Sequence, residues 1–182
     1  MALLRAILTS VLLLVRGAGL AGQTAQAPEY QVKAVFLFNF AQFVDWPADA
    51  FPDADTPFVI GVLGDDPFGS VLDQTVRGER LGGRSFQVRR YQRLDDIKTC
   101  HILFISRSEE SRPEGMLAGL KNRPILTVSD ADGFAERGGM IRFVTDRNRI
   151  RLQINPPAAE AAHLTISSKL LRLAEIVTPT GR

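Results

Sequence analysis

Residues 58–64 read "FVIGVLG", an unbroken apolar run rich in β-branched side chains and closed by a glycine. A strand with one wet face alternates apolar and polar positions. A run that is apolar throughout belongs to a strand covered on both faces, as in parallel sheets. "HILFIS" (101–106) and "ILTVSD" (125–130) repeat the pattern. Between these runs, a "GDDPFG" turn leads into a helix over about 69–78, and "PEGMLAGLKN" (113–122) reads as a short helix. Strands alternating with helices imply βαβ units and a parallel sheet. "SFQVRRY" (85–91) alternates, as a half-exposed strand does.

Further along, the sheet changes character. "MIRFVTDRNRIRLQINP" (140–156) is predicted as an antiparallel hairpin turning at Arg147 and Asn148, since Asn tolerates the positive φ of a tight turn. Pairing Asp146 with Arg149 sets Phe143 opposite Leu152 and Ile141 opposite Ile154 on one face. Arg142 then faces Gln153, and Val144 faces Arg151, on the other. Asn155 is placed to cap a helix starting at Pro156 or Pro157, and "SKLLRLAEIV" (168–177) is predicted as a closing amphipathic helix.

Upstream, "KAVFLFNFAQFVDWP" (33–47) carries four phenylalanines and a tryptophan, in a segment without breakers between Pro28 and Pro47. At 100° per residue, Val32, Phe36, Phe40 and Phe43 fall on one side, predicted to pack on the sheet. Gln31, Asn39, Gln42 and Asp45 form a polar stripe that contains Phe38. Phe38 and Trp46, outside the apolar stripe, are read as candidates for a contact surface, since exposed aromatics on a small domain favour association.

The first residues have another purpose. Arg5, the apolar run 7–15 and the small residues Ala21, Ala25 and Ala27 have the layout of a secretory signal peptide. The run is shorter than the roughly 20 apolar residues of a membrane span. Cleavage near residue 27 removes Arg5 and Arg16 and balances the 22 Lys+Arg against the 20 Asp+Glu of the whole chain. The basic character belongs to the targeting segment, and nucleic acid, which demands a dense cationic surface, is not an expected partner.

Catalytic and metal chemistry find little support. Cys100 is the sole cysteine and is read as a small buried hydrophobe. Neighbouring His101 points to the opposite strand face, and His163 is the only other histidine, too few ligands for a four-coordinate zinc site. No nucleophile elbow or Walker loop occurs, and "GDDPFG" has two acids and no lysine where a phosphate would sit. No enzyme activity, cofactor or metal is expected. The organisation expected is a signal peptide (1–27), one domain (28–178) and a short tail (179–182). The domain is read as a single three-layer α/β unit with a mainly parallel sheet, an antiparallel edge hairpin at about 140–155 and helices on both faces.

Four segments in order, "KAVFLFNFAQFVDWP", "CHILFIS", "GGMIRF" with "RIRLQIN", and "HLTISSKLLRLAEIV", resemble the YfiR family of exported bacterial proteins over about 30–177. The resemblance implies a periplasmic regulator that represses a membrane-bound diguanylate cyclase of the YfiN type by binding its periplasmic sensor region, lowering cyclic-di-GMP and biofilm formation. The family's best-known member looks disulfide-bonded. Cys100 has no partner within this chain, a departure from that pattern. The alternative reading is a periplasmic small-molecule sensor acting on another membrane signalling enzyme, such as a histidine kinase.

Two sets of site residues follow. A partner surface is expected at Phe38, Trp46, Arg142, Arg151 and Gln153. A ligand crevice is expected beyond the carboxyl ends of the parallel strands, where Gly64, Asp65, Ser106, Arg107, Ser129 and Asp130 converge. Arg107 is the residue suited to a small anionic ligand. A second copy of the chain is a further candidate partner.

Overall fold

The computed structural model describes residues 20–109 and 113–178. The signal-peptide reading falls mostly on residues 1–19, outside the described residues, as does the whole of the tail (179–182).

The strands in chain order are β1 (Val44–Asp45), β2 (Phe58–Leu63), β3 (Arg80–Leu81), β4 (Arg84–Tyr91), β5 (Ile102–Ile105), β6 (Leu126–Ser129), β7 (Ile141–Asp146), β8 (Arg149–Ile154), β9 (Thr165–Ile166) and β10 (Glu175–Ile176). The helices are α1 (Leu20–Phe43), α2 (Ser70–Val76), α3 (Pro113–Leu120), α4 (Pro156–Ala161) and α5 (Ser168–Leu171). Eight strands form one sheet in the order β10-β8-β7-β6-β5-β2-β4-β3, and β1 pairs with β9 in a small antiparallel ribbon. From β4 through β2, β5 and β6 to β7 the pairing is parallel.

Burial follows from that topology. β2, β5 and β6 are buried at every position. Alternate side chains feed two cores: Ile60, Val62, Ile102, Phe104 and Val128 pack toward one face, and Leu63, Leu103 and Ile105 toward the other. Gly61 is required because Tyr91 and Cys100 close over it, at 2.8 and 2.9 Å from where a Cβ would stand. The hairpin forms in the expected register, Phe143 opposite Leu152 and Arg142 opposite Gln153, with Arg147 and Asn148 at φ 47° and 62°. It lies toward one edge of the sheet, with only the two-residue β10 beyond it. Asn155 caps α4 by accepting the Ala158 N–H.

Three expectations are corrected. The helix expected between Pro28 and Pro47 begins earlier, at Leu20, runs through Pro28 and stops at Phe43, because Val44 and Asp45 leave it to pair with Ile166 and Thr165. Its buried stripe is also rotated. Tyr30, Lys33, Ala34, Leu37, Phe40 and Ala41 face the sheet, Phe36 and Phe43 flank them half-buried, and Val32 is 46% exposed. The small Ala34 and Ala41 suit a close approach of helix to sheet, and Lys33 is carried inside by a distant partner. Finally, "SKLLRLAEIV" is not one helix. α5 ends at Leu171, and Glu175–Ile176 becomes β10, adding to β8.

Candidate functional site

β2, β5 and β6 end side by side; Ser129 closes β6, and the loops that leave the three strands carry the other five residues of the expected crevice. Gly64, at φ 85°, donates its N–H to the Tyr91 carbonyl, and Asp65 N–H donates to Ser108 Oγ at 3.0 Å. Ser129 Oγ donates to the Ile105 carbonyl at 2.7 Å and accepts from Ala131 N–H. These polar groups hold the strand ends in place.

At the centre stands Asp130, 2% exposed. Tyr30 Oη donates to its Oδ2 at 2.7 Å, and Lys33 Nζ donates to the same oxygen at 2.5 Å. Arg107 Nε reaches Oδ1 at 3.2 Å, while Arg107 Nη2 donates to the Asp130 carbonyl at 2.8 Å. Lys33 also lies 2.5 Å from Glu29 Oε1, and its Nζ sits 4.3 Å from the centre of the Tyr30 ring. Glu29 in turn accepts from Thr145 Oγ1 on β7. Burial alone pushes the Asp130 carboxyl up, but the hydrogen bond and charge of Lys33, with Tyr30 and Arg107, outweigh it and hold the group below the usual carboxylate range. Burial and the Asp130 carboxylate together push the Tyr30 phenol well above its ordinary value.

Arg107 therefore meets an anion, but one supplied by the chain itself. An external anion would have to displace Asp130 or use the exposed remainder of the guanidinium. Of the six residues named for the crevice, Arg107 and Asp130 are in direct contact, and Gly64, Asp65, Ser106 and Ser129 stand at the neighbouring strand ends. Tyr30, Lys33 and Glu29, which complete the cluster, were missed. The available signal was Glu29 and Lys33 at i and i+4, an ion-pair spacing on a helix otherwise heading into the core.

The expected partner surface does not form one patch. α1 packs on the sheet face that carries Phe143 and Leu152, with Phe36 and Phe143 rings 5.9 Å apart. Arg142, Arg151 and Gln153 project from the opposite face. Phe38 is half-buried, its ring edge-on to Phe86 at 5.1 Å, and Trp46 is half-buried edge-on to Phe58 at 4.9 Å. Phe38 is thus not a solvent-facing residue of the polar stripe: the rotation of α1 carries it against β4. On the polar face, Arg142 bridges Asp132 and Gln153, and Gln153 continues to Glu175 on β10. Arg151 pairs with Asp146 at 3.2 Å and keeps 66% of its side chain exposed.

The residues that most often do chemistry are otherwise engaged. His101 accepts Val59 N–H at Nδ1, faces the Ala50 carbonyl through Nε2 at 3.0 Å and stacks on Phe51. Cys100 is buried, its thiol pushed up to about 12 by desolvation. Among the described residues, no group of three or more His, Cys, Asp or Glu is placed to hold a metal. None of the described helices is long and apolar enough to cross a membrane.

One apolar feature on α1 remains open to solvent. Val32 and Val35 are 46% and 48% exposed. Beside Val32, a groove of about 470 Å³ runs between α1 and the hairpin, lined by Phe36, Ile150 and Arg149 among others.

Comparison with known proteins agrees with this architecture. A family model described as YfiR/HmsC-like matches residues 30–175. A solved structure described as a conserved domain protein from Vibrio cholerae O1 biovar El Tor superposes with a TM-score of 0.52 at 13% identity, over 81% of this chain. The match spans 59% of that structure's own length, and at this identity it speaks to fold alone. No curated protein sequence matches.

Proposed function

The chain belongs to the YfiR/HmsC-like family, and on that premise we propose that it is an exported regulatory binding protein that restrains a membrane-bound diguanylate cyclase by engaging its periplasmic region. The proposed mature chain begins near Pro28, leaving Glu29, Tyr30 and Lys33 in place to anchor α1 to the strand ends. The work of such a protein is to present a surface, and it needs no catalytic constellation.

The observation that carries the reading is the open apolar surface of α1, Val32 and Val35, next to the groove walled by Phe36 and Ile150. Apolar side chains left together at the surface of a small domain favour association. Arg151, with Gln153 and Arg142, belongs to the opposite face and serves in this reading as a comparison surface.

The test is co-purification of the cyclase from membranes of a host that carries it, using the mature chain and two charge variants as bait. Capture by the native chain and by Arg151→Glu, with loss in Val32→Glu, supports the α1–hairpin surface. Capture of another membrane signalling enzyme in place of a cyclase would overturn the assignment of the output.

A further inference from the structure

At the end of the sheet away from the hairpin, most of the edge of β4 is open. β3 pairs with β4 only at Arg84 and Ser85. Along an extended strand the N–H and C=O groups of successive residues turn to alternate sides. The Tyr91 carbonyl turns toward β2, accepting from Gly64 N–H, so the backbone groups of Val88 and Arg90 turn away from it. Among the described residues no hydrogen bond reaches those groups. An open edge of this kind is a template for one more strand.

The same edge is strongly basic. Residues 77–93 hold Arg77, Arg80, Arg84, Arg89, Arg90 and Arg93 against a single acid, Glu79. Over residues 28–182 basic and acidic side chains are equal in number, so this cluster is a local excess in a chain that is acidic elsewhere. Its arginines have separate duties. Arg90 is held on the α2 side by Asp66 at 2.9 Å and by Asp73, and Arg84 donates to the carbonyls of Asp53, Ala54 and Thr56. Arg89 is exposed on the other face of β4, where it donates to Gln87 Oε1 at 3.2 Å.

Charge decides what the added strand is. A second copy of the chain would set one arginine-rich edge against another, and charged edges guard against such pairing. The same charge favours an extended segment that carries acidic side chains. The two faces then set its pattern, because side chains of a strand alternate. Those on the Arg89 face are acidic, and those on the α2 side, where Arg90 already has its carboxylates, are neutral.

We propose that the open edge of β4 takes up an extended acidic segment of a partner protein as an added strand, its backbone paired with Val88 and Arg90 and its acidic side chains beside Arg89. This edge and the groove beside α1 lie at opposite ends of the sheet, and the proposal does not depend on the regulatory reading.

The probe is a cyclic β-hairpin peptide whose outer strand alternates glutamate and threonine, a preorganised form that lowers the cost of binding. Amide hydrogen exchange of the mature chain, followed residue by residue, is expected to slow at Val88 and Arg90 when the peptide is added. Two further peptides, one with lysine in place of glutamate and one N-methylated along its pairing edge, are expected to leave both amides unprotected. Arg89→Glu is expected to weaken binding of the glutamate peptide about tenfold or more. The control, Arg172→Glu, makes the same change at an exposed position after α5 and should bind as the native chain does, both variants melting alike. No binding, protection at other amides in place of these two, equal weakening in the control, or undiminished binding of the N-methylated peptide would overturn the proposal. Phosphatidylglycerol vesicles test the other reading of a basic edge. Vesicle binding that Arg89→Glu removes, with no protection of Val88 and Arg90 by the peptide, would assign the edge to a membrane surface and overturn the proposal as well.

Discussion

Lys33 Nζ lies 2.5 Å from Asp130 Oδ2, with the two side chains 1% and 2% exposed. The residues are 97 positions apart, so this pair joins the beginning of the domain to the end of β6. Removing one member strands a buried charge. Lys33→Met is expected to lower stability by about 3 to 5 kcal/mol, and Lys33→Met with Asp130→Leu to recover a large part of it. Chemical denaturation of the single and double variants checks this. A double variant no more stable than the single one would show that Arg107 and Tyr30, not Lys33, set the worth of Asp130.

The pH dependence follows from two groups. Burial is the main cause that lowers the pKa of His101 below its ordinary 6.5, and Asp130 is held below its ordinary 3.8. A group depressed on folding contributes stability above its unfolded value, and that contribution is lost as pH falls toward the folded one. His101 should therefore begin to destabilise the fold as pH drops below about 6.5, with a slope of at most about 1.4 kcal/mol per pH unit. Asp130 adds its loss only below about pH 4. Melting curves of His101→Gln should start lower but stay flat between pH 7 and 5, where the native chain declines. Parallel slopes for the two would remove His101 from the account.

The phenylalanines of α1 separate by depth. Phe40 is fully buried and stacks with Phe143 at 5.9 Å, so Phe40→Ala is expected to cost about 3 to 5 kcal/mol. Phe38 gives up its edge-on contact with Phe86 and a partial burial, so Phe38→Ala should cost about 1 to 2 kcal/mol. Thermal melting of the two variants checks the order. Equal losses would mean that the flank of α1 over β4 is as tightly packed as its centre.

Arg151→Glu replaces a largely exposed ion pair with Asp146. Exposed pairs are worth about 0 to 1 kcal/mol, so the variant should fold and melt within a few degrees of the native chain. A large loss would mean that the polar network of the hairpin holds β8 in register.

How much of this was legible depends on what decided each element. "FVIGVLG", "HILFIS" and "ILTVSD" announced a parallel sheet because covering both faces of a strand leaves no polar position. The hairpin register was legible because only one pairing keeps Phe143 and Leu152 together, and Asn148 supplies the turn. The phase of α1 was not, because Lys33 reads as polar until Asp130 buries it. β10 was not either, since Glu175 and Ile176 form a strand only because β8 lies beside them. The cluster at the ends of β2, β5 and β6 lies where the strand order brings those ends together. Its internal ion pairs depend on long-range contacts that sequence spacing does not encode.

The central claim is that the mature chain restrains a membrane diguanylate cyclase through the exposed side of α1. The most direct measurement is cyclic-di-GMP formed by membranes carrying the cognate cyclase, with the native chain or with Val32→Glu, Val35→Glu or Arg151→Glu added to the periplasmic side. The account predicts lower output with the native chain and with Arg151→Glu, and undiminished output with the two α1 variants, all four proteins melting alike. Output unchanged by the native chain, or repressed equally by all four, would contradict it.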